Sequence, residues 1–301
     1  DLHLSLRRQR QMCRRDRYSV IEGMVQLAAE LGVTIITNAP VGKIGVENGE
    51  ANYLEINDSK HYADTIVCGA DYHHGESLLE PQYRKYSEKY WDTRIFAPSS
   101  LLFYVGFNKK LKNVQHHTLF FDTDFDVHAK DIYDSPRWPD KPLFYASFPS
   151  KTDTSTAPSD SEAGTFLIPL APGLEDTPEL RKKYFDIIIN RLEKLTGQSV
   201  KENILFSESF CLNDFINDYN SYKGNAYGLA NTLWQTAFLR PKLRSPKVSN
   251  LYFTGQLTVP GPGVPPALIS GKLVADLVKK QIAKTPSQTS PCLLYTSDAA
   301  D

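Results

Sequence analysis

Hydrophobic positions in the first quarter of the chain follow a helical pattern and then several short strand patterns. Apolar residues recur at helical spacing from residue 20 to residue 31, and Gly32 stands where a helix commonly ends on a left-handed glycine. The Asn48-Gly49 pair is typical of a two-residue hairpin turn. Runs rich in β-branched and other apolar residues predict strands at residues 33–37, 41–46, 52–57 and 65–68. The predicted order is therefore helix, strand, β-meander and a further strand.

The middle of the chain, from residue 72 to residue 245, is rich in aromatic residues and prolines and predicts several further strands and one long helix. Thr177 and Pro178 are suited to the N-cap and first position of a helix, and Gly197 ends its apolar pattern. A proline interrupts one strand pattern, which predicts a position at a sheet edge or near a strand end. The predicted helix covers residues 177–196, and the predicted strands are residues 101–107, 116–121, 142–148, 166–172 and 204–210.

A strand, a glycine- and proline-rich loop and a helix follow one another near the end of the chain. Residues 250–255 predict a short buried strand, and residues 267–282 predict an amphipathic helix. A helix N-terminus attracts an anion or an electron-rich oxygen, and glycines let a flat ligand approach the backbone closely. The loop lacks the GK[ST] ending of a P-loop, and no GxGxxG occurs in the chain. The residues alone leave an ordinary βα connection as the alternative to a binding site.

Composition excludes several classes of protein. The chain has 301 residues, a formal net charge of −1 and 41% hydrophobic residues, as expected for one large or two medium globular domains. The near-zero charge argues against recognition of nucleic-acid phosphates. The four cysteines lie far apart and indicate neither a zinc site nor a disulfide framework, so a reducing compartment is expected. No apolar run of about 18 residues is present that could span a bilayer.

The two ends of the chain do not continue the patterns beside them. Residues 1–19 include a block of arginines, and residues 284–301 combine a Pro/Ser/Thr-rich stretch with the final CLLYTSDAAD. We expect a non-native or disordered leader over residues 1–19. We likewise expect a disordered tail over residues 284–301 that is non-native at its end. Genuine disordered termini are the alternative.

Five segments of the sequence resemble one known family. NLYFTGQLTVPGPGVPPALISGKLVADLV, which begins at Asn250, resembles the C-terminal signature of the bacterial and fungal phytoene desaturases, a branch of the amine-oxidase-like FAD flavoproteins. GMVQLAAELGVTIITNAPVGKI, ADTIVCGAD, YKGNAYGL and FLRP resemble further segments of these enzymes. The chain departs from the family at residues 255–258, where alanine, glycine, threonine and histidine are common. The resemblance covers the chain from about Val20 to the final helix.

FAD is the cofactor that this resemblance implies. The backbone around one valine is expected to meet the adenine, and the glycine-rich loop with the start of the final helix is expected to lie against the flavin and ribityl chain. The residues expected at the cofactor are Val41, Gly69, Ala70, Asp71, Gly255, Gln256, Gly263, Val264 and Pro265.

The fold implied by the resemblance is α/β: an incomplete FAD/NAD(P)-binding domain of the glutathione-reductase-like Rossmann type with an inserted α+β substrate domain. Residues 20–75 and 246–283 are expected to belong to the FAD-binding domain, and residues 76–245 to the substrate domain. The family begins with a βαβ unit carrying GxGxxG, which binds the FAD pyrophosphate on a helix N-terminus. We therefore expect this chain alone to bind FAD weakly or not at all, and the missing N-terminal half of the domain to be its partner.

The activity implied is FAD-dependent dehydrogenation of phytoene towards neurosporene or lycopene in carotenoid biosynthesis. Asp214, Asp218 and Arg240 are weak candidates for a catalytic role, since such residues on loops are mostly solvated or paired. Candidates for the wall of a polyene tunnel, with ordinary core packing as the alternative, are Phe103, Tyr104, Tyr227 and Phe238. We expect no metal, because the adjacent histidines at 73–74 and 116–117 would point to opposite sides of a strand.

Other functions remain open at this stage. Within the superfamily the substrate could be another carotenoid or a C30 precursor, and the reaction desaturation, isomerisation or saturation. A non-catalytic lipid-binding flavoprotein is a further alternative, and a monoamine-oxidase-like activity is disfavoured because no covalent-flavin cysteine motif accompanies the loop. A polyene hydrocarbon must be drawn from a bilayer, so we expect a cytoplasmic protein that lies peripherally on the membrane.

Overall fold

The protein, seen in a computed structural model, is described over residues 14–283 and 293–295. The helices and strands confirm most of the elements predicted from the sequence. In chain order they are α1 (Arg14–Glu30), β1 (Thr34–Ile36), β2 (Val41–Glu47), β3 (Glu50–Ile56), β4 (Ser59–Tyr62), β5 (Ile66–Cys68), α2 (Tyr72–Ser77), α3 (Glu88–Asp92), β6 (Ser99–Phe107), β7 (His117–Phe120), α4 (Phe125–Tyr133), β8 (Phe144–Ser147), β9 (Glu162–Leu170), α5 (Pro178–Thr196), β10 (Ile204–Phe210), α6 (Leu212–Tyr219), β11 (Leu251–Phe253), α7 (Val264–Ile282) and β12 (Leu293–Tyr295).

The first part of the chain forms small sheets around short turns. Strands β2, β3 and β4 are antiparallel, and the β2–β3 connection places Asn48 and Gly49 at φ 53° and 78°, as the Asn-Gly pair predicts. Strands β5 and β11 pair in parallel although their partner residues lie 185 positions apart in sequence, so the last part of the chain returns beside the first. Strand β1 pairs in parallel with β12.

The middle of the chain forms a five-stranded antiparallel sheet in the order β10-β6-β9-β8-β7. Strand β9 is central, and Pro169 stands one residue before its end, beyond the residues that pair with β8. The position near a strand end is thus confirmed. Helix α5 begins where Thr177 accepts a hydrogen bond from the Leu180 N–H at 3.3 Å, and it ends on Gly197 at φ 68°.

Two hydrophobic cores organise these elements. One lies between the five-stranded sheet and α5 and includes Phe103, Phe166 and Ile188. The other joins residues 39–96 to residues 229–257 and includes Leu251 and Phe253 of β11 together with Trp91. The second core therefore takes in residues on both sides of the predicted boundaries near 75 and 245, and those boundaries remain predictions.

Several sequence expectations differ from the structure. Helices α2, α3, α4 and α6 were not predicted, and α7 begins three residues earlier than the apolar pattern indicated. His73 and His74 lie in helix α2 rather than in a strand. The expectations for residues 1–13, 284–292 and 296–301 lie outside the described residues. Within the described ranges, no helix is both long enough and apolar enough to cross a membrane.

Candidate functional site

The candidate site lies where the parallel strands β5 and β11 end. Parallel strands present their carboxyl ends at the same edge of a sheet, and open α/β sheets bind ligands at that edge. Gly69 follows β5 and Gly255 follows β11, and a Cβ built on Gly255 would lie 3.8 Å from the Gly69 carbonyl oxygen. The two predicted cofactor segments, far apart in sequence, are therefore adjacent in the fold.

The glycines of the loop have backbone conformations that other residues rarely adopt. Gly255, Gly261 and Gly263 have φ of 103°, 133° and 109°. A Cβ at Gly255 or Gly263 would meet no atom closer than 3.4 Å, so the conformation rather than crowding requires glycine there. The result is a strip of bare backbone that a flat aromatic ligand can approach, as a flavin would require.

Ser270 ties helix α7 to the end of β11. Its side chain is fully buried, accepts a hydrogen bond from the Gly255 N–H at 2.9 Å and lies 2.6 Å from the Thr254 hydroxyl. It also donates to the Ala267 carbonyl in the first turn of the helix. This single hydroxyl therefore fixes how the helix N-terminus sits relative to the strand end.

The start of α7 offers fewer donors than a standard helix N-terminus. Pro265 and Pro266 carry no amide hydrogen, and the Ala267 N–H donates to the Gly263 carbonyl at 2.9 Å. The backbone N–H groups of Gly263 and Val264 are what remains at the helix start to meet an electron-rich oxygen. The prolines also hold this turn rigid, because their φ is fixed.

A chain of hydrogen bonds joins three separate segments behind the strand ends. One Asp71 carboxylate oxygen accepts from the Tyr222 N–H and the Asn225 amide, both at 3.3 Å, and the other caps helix α2. The Asn225 side-chain oxygen in turn accepts from the Gly228 N–H at 2.9 Å and the Gln256 amide at 3.4 Å. Burial raises the pKa of Asp71, and these hydrogen bonds oppose the rise.

Arg240 continues this network beneath the glycine loop. It is 2% exposed, and its terminal nitrogens donate to Asn231 Oδ1 at 2.6 Å, Leu229 O at 3.1 Å and Gln256 O at 3.3 Å. A Cβ on Gly261 would lie 3.2 Å from the guanidinium. Burial lowers the pKa of Arg240, and no carboxylate of the described residues forms an ion pair with it.

The two other weak catalytic candidates lie elsewhere. Asp214 pairs with Arg181 at 2.8 Å and accepts the Cys211 N–H at 2.7 Å at the start of α6. Asp218 lies near the end of the same helix. Asp176 also pairs with Arg181, at 2.6 Å, so a carboxylate–guanidinium cluster stabilises the contact between α5 and α6. These contacts give Asp214 an evident structural role.

The four candidate tunnel residues do not come together as one surface. Phe103 is buried, packs on Phe185 and lines a cavity of about 550 Å³ between α5 and β10. Tyr104 follows Phe103 in β6 and therefore points to the opposite face of the sheet. Tyr227 and Phe238 are exposed on loops. Their assignment to a polyene tunnel remains a prediction, as does the placement of Val41, at the start of β2, beside adenine.

Sequence reasoning missed the side chains that hold the site together. Asn225, Asn231 and Ser270 make its central hydrogen bonds. Asn225 and Ser270 lie in segments that the resemblance singled out, whereas Asn231 does not. A signal was present for Asn225, since an asparagine in a glycine-containing stretch such as GNAYG is typical of a turn in which the side chain bonds to the backbone. Among the described residues, no group of three or more His, Cys, Asp or Glu side chains could hold a metal.

The family of the chain follows from comparison with known proteins. Residues 4–279 match the family model for flavin-containing amine oxidoreductases, so the chain belongs to this family, and its cofactor is FAD. The predicted resemblance is confirmed at finer level by curated relatives. The chain is 41% identical over 266 residues to a carotenoid 3,4-desaturase of Haloarcula japonica, which is 88% of this chain and 54% of the relative.

Two further relatives and two solved structures agree. The chain is 31% identical to a 4,4'-diapophytoene desaturase of Staphylococcus haemolyticus and 29% identical to a zeta-carotene-forming phytoene desaturase of Myxococcus xanthus, covering 88% and 86% of this chain and 55% and 50% of those relatives. An oxidoreductase of Methanosarcina mazei aligns with a TM-score of 0.55 at 15% identity, over 85% of this chain and 53% of that one. A redesigned putrescine oxidase aligns with a TM-score of 0.51 at 12% identity, over 85% and 51%.

These comparisons confirm the expected α/β flavoprotein fold. The chain spans about half the length of the curated relatives it matches. The Rossmann-type arrangement of the incomplete domain remains a prediction, consistent with the parallel pair of β5 and β11.

Proposed function

We propose that the protein is the C-terminal part of an FAD-dependent carotenoid desaturase that dehydrogenates phytoene or a related polyene. The observation that carries the proposal is the bare backbone strip at Gly255 and Gly263, set beside Gly69 at the edge of a parallel strand pair. Two of the curated relatives are named as desaturases of carotenoids and of diapophytoene. The names of these relatives therefore favour polyene desaturation as the reaction that a flavin at this site would carry out.

Dehydrogenation of an unactivated chain next to a double bond removes a hydride and a proton, and bound FAD supplies the hydride acceptor. The residues of this chain would bind the FAD and the polyene and orient them. The glycine strip permits close approach, Ser270 sets the helix start, and the Asp71–Asn225–Gln256 chain with Arg240 keeps the loop from moving. Arg240 is a positioning residue in this view, because its two terminal nitrogens donate to carbonyl and amide oxygens below the loop.

We also propose that the remaining half of the FAD domain covers apolar surface that is exposed here. Helix α1 carries Val20, Ile21, Met24, Val25 and Leu27 on its exposed surface, and Val67 of β5 is exposed as well. Several apolar side chains of one helix are rarely all left in water. A βαβ unit that adds parallel strands would bury them and would supply the GxGxxG that this chain lacks.

Flavin content tests the incompleteness of the site. The 301-residue chain is expected to purify without FAD, whereas protein from the reading frame extended upstream should carry one FAD per chain. A stoichiometric flavin spectrum from the 301-residue chain would contradict the proposal that half of the binding site is missing.

Flavin reduction tests the reaction itself. Anaerobic addition of phytoene in detergent to the FAD-loaded extended protein should bleach the visible flavin absorbance, and oxygen or a quinone should restore it. A non-catalytic lipid-binding flavoprotein would bind the polyene without bleaching. Bleaching by a C30 precursor or a hydroxylated carotenoid, but not by phytoene, would instead select a related polyene as substrate.

We propose that the protein works peripherally on the cytoplasmic face of a membrane. The reason is chemical: a C40 hydrocarbon has negligible solubility in water, so the enzyme must take its substrate from a bilayer.

A further inference from the structure

The loop of residues 233–239, here called the LW loop, buries a polar side chain and exposes large apolar ones. It consists of two short 3₁₀ turns, Leu233–Gln235 and Ala237–Leu239. Its polar residue Gln235 is 4% exposed, whereas Leu233, Trp234 and Phe238 are 86%, 81% and 77% exposed. Folding normally buries large apolar side chains, so a loop that does the opposite presents them to something other than water.

Hydrogen bonds hold the LW loop in this inverted arrangement. The Gln235 side chain accepts from the Ile95 N–H at 2.9 Å and donates to the Ile95 and Ala230 carbonyls at 2.8 and 3.3 Å. The Lys242 ammonium donates to the Phe238 carbonyl at 3.2 Å. Because the buried glutamine pins the centre of the loop, the apolar side chains on either side cannot collapse inward without breaking these bonds.

Charge distinguishes this surface from the exposed apolar patch at residues 119–125. From Tyr219 to Ala275 the sequence contains no aspartate or glutamate but six lysines and arginines, of which Arg240 is buried and Lys223 pairs with Asp92. Exposed Lys242 lies directly beside the loop. A second exposed patch, formed by Leu119, Phe121 and Phe125, is interspersed with Asp122, Asp124 and Asp126. Only the first combination, an exposed tryptophan with basic neighbours, suits an anionic lipid surface.

We propose that the LW loop docks the protein on the membrane, with Leu233, Trp234 and Phe238 inserted at the level of the lipid headgroups and Lys242 beside anionic lipids. This rests on the proposed function, since a polyene desaturase needs contact with the bilayer that holds its substrate. The loop follows directly after the Asn225–Asn231 segment and precedes Arg240, so a bilayer at the loop would lie within one short segment of the flavin-facing loop. The geometry therefore joins substrate uptake to the site.

Vesicle binding tests the proposal with the FAD-loaded extended protein. Partition onto vesicles of equal parts phosphatidylcholine and phosphatidylglycerol is measured by co-sedimentation. The double variant Trp234→Ser with Phe238→Ser should lose partition about tenfold or more. The matched double variant Leu119→Ser with Phe121→Ser, at the acidic patch, should change it less than about twofold. Lys242→Gln should weaken binding to these vesicles and leave binding to pure phosphatidylcholine unchanged.

Tryptophan emission supplies a second readout. Trp234 is the exposed tryptophan, whereas Trp91 is buried in the core and Trp138 is half-buried, so a blue shift on vesicle addition that is absent in Trp234→Phe reports insertion of the loop. Equal partition of the two double variants, or loss of FAD from the loop variant, would overturn the proposal; the latter would show that another part of the protein covers the loop. A protein that docks but dehydrogenates no polyene would refute only the proposed function.

Discussion

Replacing Arg240 with lysine tests whether one buried guanidinium holds the glycine-rich loop that follows β11. Its two terminal nitrogens serve three acceptors: the carbonyls of Leu229 and Gln256 and the side chain of Asn231. A lysine keeps the charge but presents a point donor instead of a planar fork, so two of the three acceptors should lose their partner. At about 1.5 kcal/mol for each charge-assisted hydrogen bond that is lost, opening the loop should become easier by about 3 kcal/mol.

Hydrogen–deuterium exchange of the amides of residues 254–262 measures this change directly. About 3 kcal/mol corresponds to roughly 100-fold faster exchange of the protected amides. Arg244→Lys is the matched control, because Arg244 is exposed and both of its hydrogen bonds go to the single carbonyl of Ser249. The control should change exchange by about twofold at most. Equal exchange in the two variants would refute the role assigned to Arg240.

Three further predictions follow from other parts of the fold. Glu162→Ala should lower the free energy of unfolding by about 3–5 kcal/mol in a urea titration, because Lys151 would lose its 2.8 Å partner; a change near zero would contradict this. Burial lowers the pKa of His128 in the folded protein below its ordinary value of 6.5. The stability that the neutral side chain contributes should therefore be fully present above pH 6.5 and be lost as the pH falls through the pKa of the folded state. Thermal melts of His128→Gln should accordingly show a weaker pH dependence. Gly255→Ala should weaken FAD binding to the extended protein about tenfold through strain at φ 103°, whereas Gly23→Ala inside α1 should raise stability by about 0.5–1 kcal/mol and leave FAD titrations unchanged.

Elements with strong local signals could be predicted from the sequence. Helix α5 begins and ends within a residue of its prediction, because Thr177, Pro178 and Gly197 specify its termini chemically. The hairpin at Asn48-Gly49 follows for the same reason, since few other pairs adopt two positive φ angles at low cost. Such signals act over three or four residues and do not depend on the rest of the fold.

Helix α4 could not be predicted because it buries polar side chains and exposes apolar ones. It buries His128 and Asp131 and exposes Phe125, Val127 and Tyr133, so a search for a buried apolar stripe finds none. His128 is satisfied in the interior by the Pro169 carbonyl and the Leu143 N–H, at 2.9 and 3.0 Å. Hydrogen bonds to residues distant in sequence stabilise such a helix, and a short stretch of sequence does not show them.

The candidate site was predicted in part. The resemblance identified the segments at Gly69 and Gly255, and the fold brings them together. The hydrogen bonds that connect them run from Asp71 to Asn225 and on to Gln256, across 154 and 31 residues of sequence. Pairings over such separations depend on the whole topology, so neither composition nor periodicity could indicate them.

The most direct test of the central claim is product analysis in living cells. The extended reading frame is expressed in a host that accumulates phytoene, and the extracted carotenoids are separated by HPLC. The account predicts more strongly conjugated products, such as neurosporene or lycopene, and a reduced yield from the Gly255→Ala variant at equal protein level. Unchanged phytoene in cells that contain the FAD-loaded protein would contradict desaturation of phytoene.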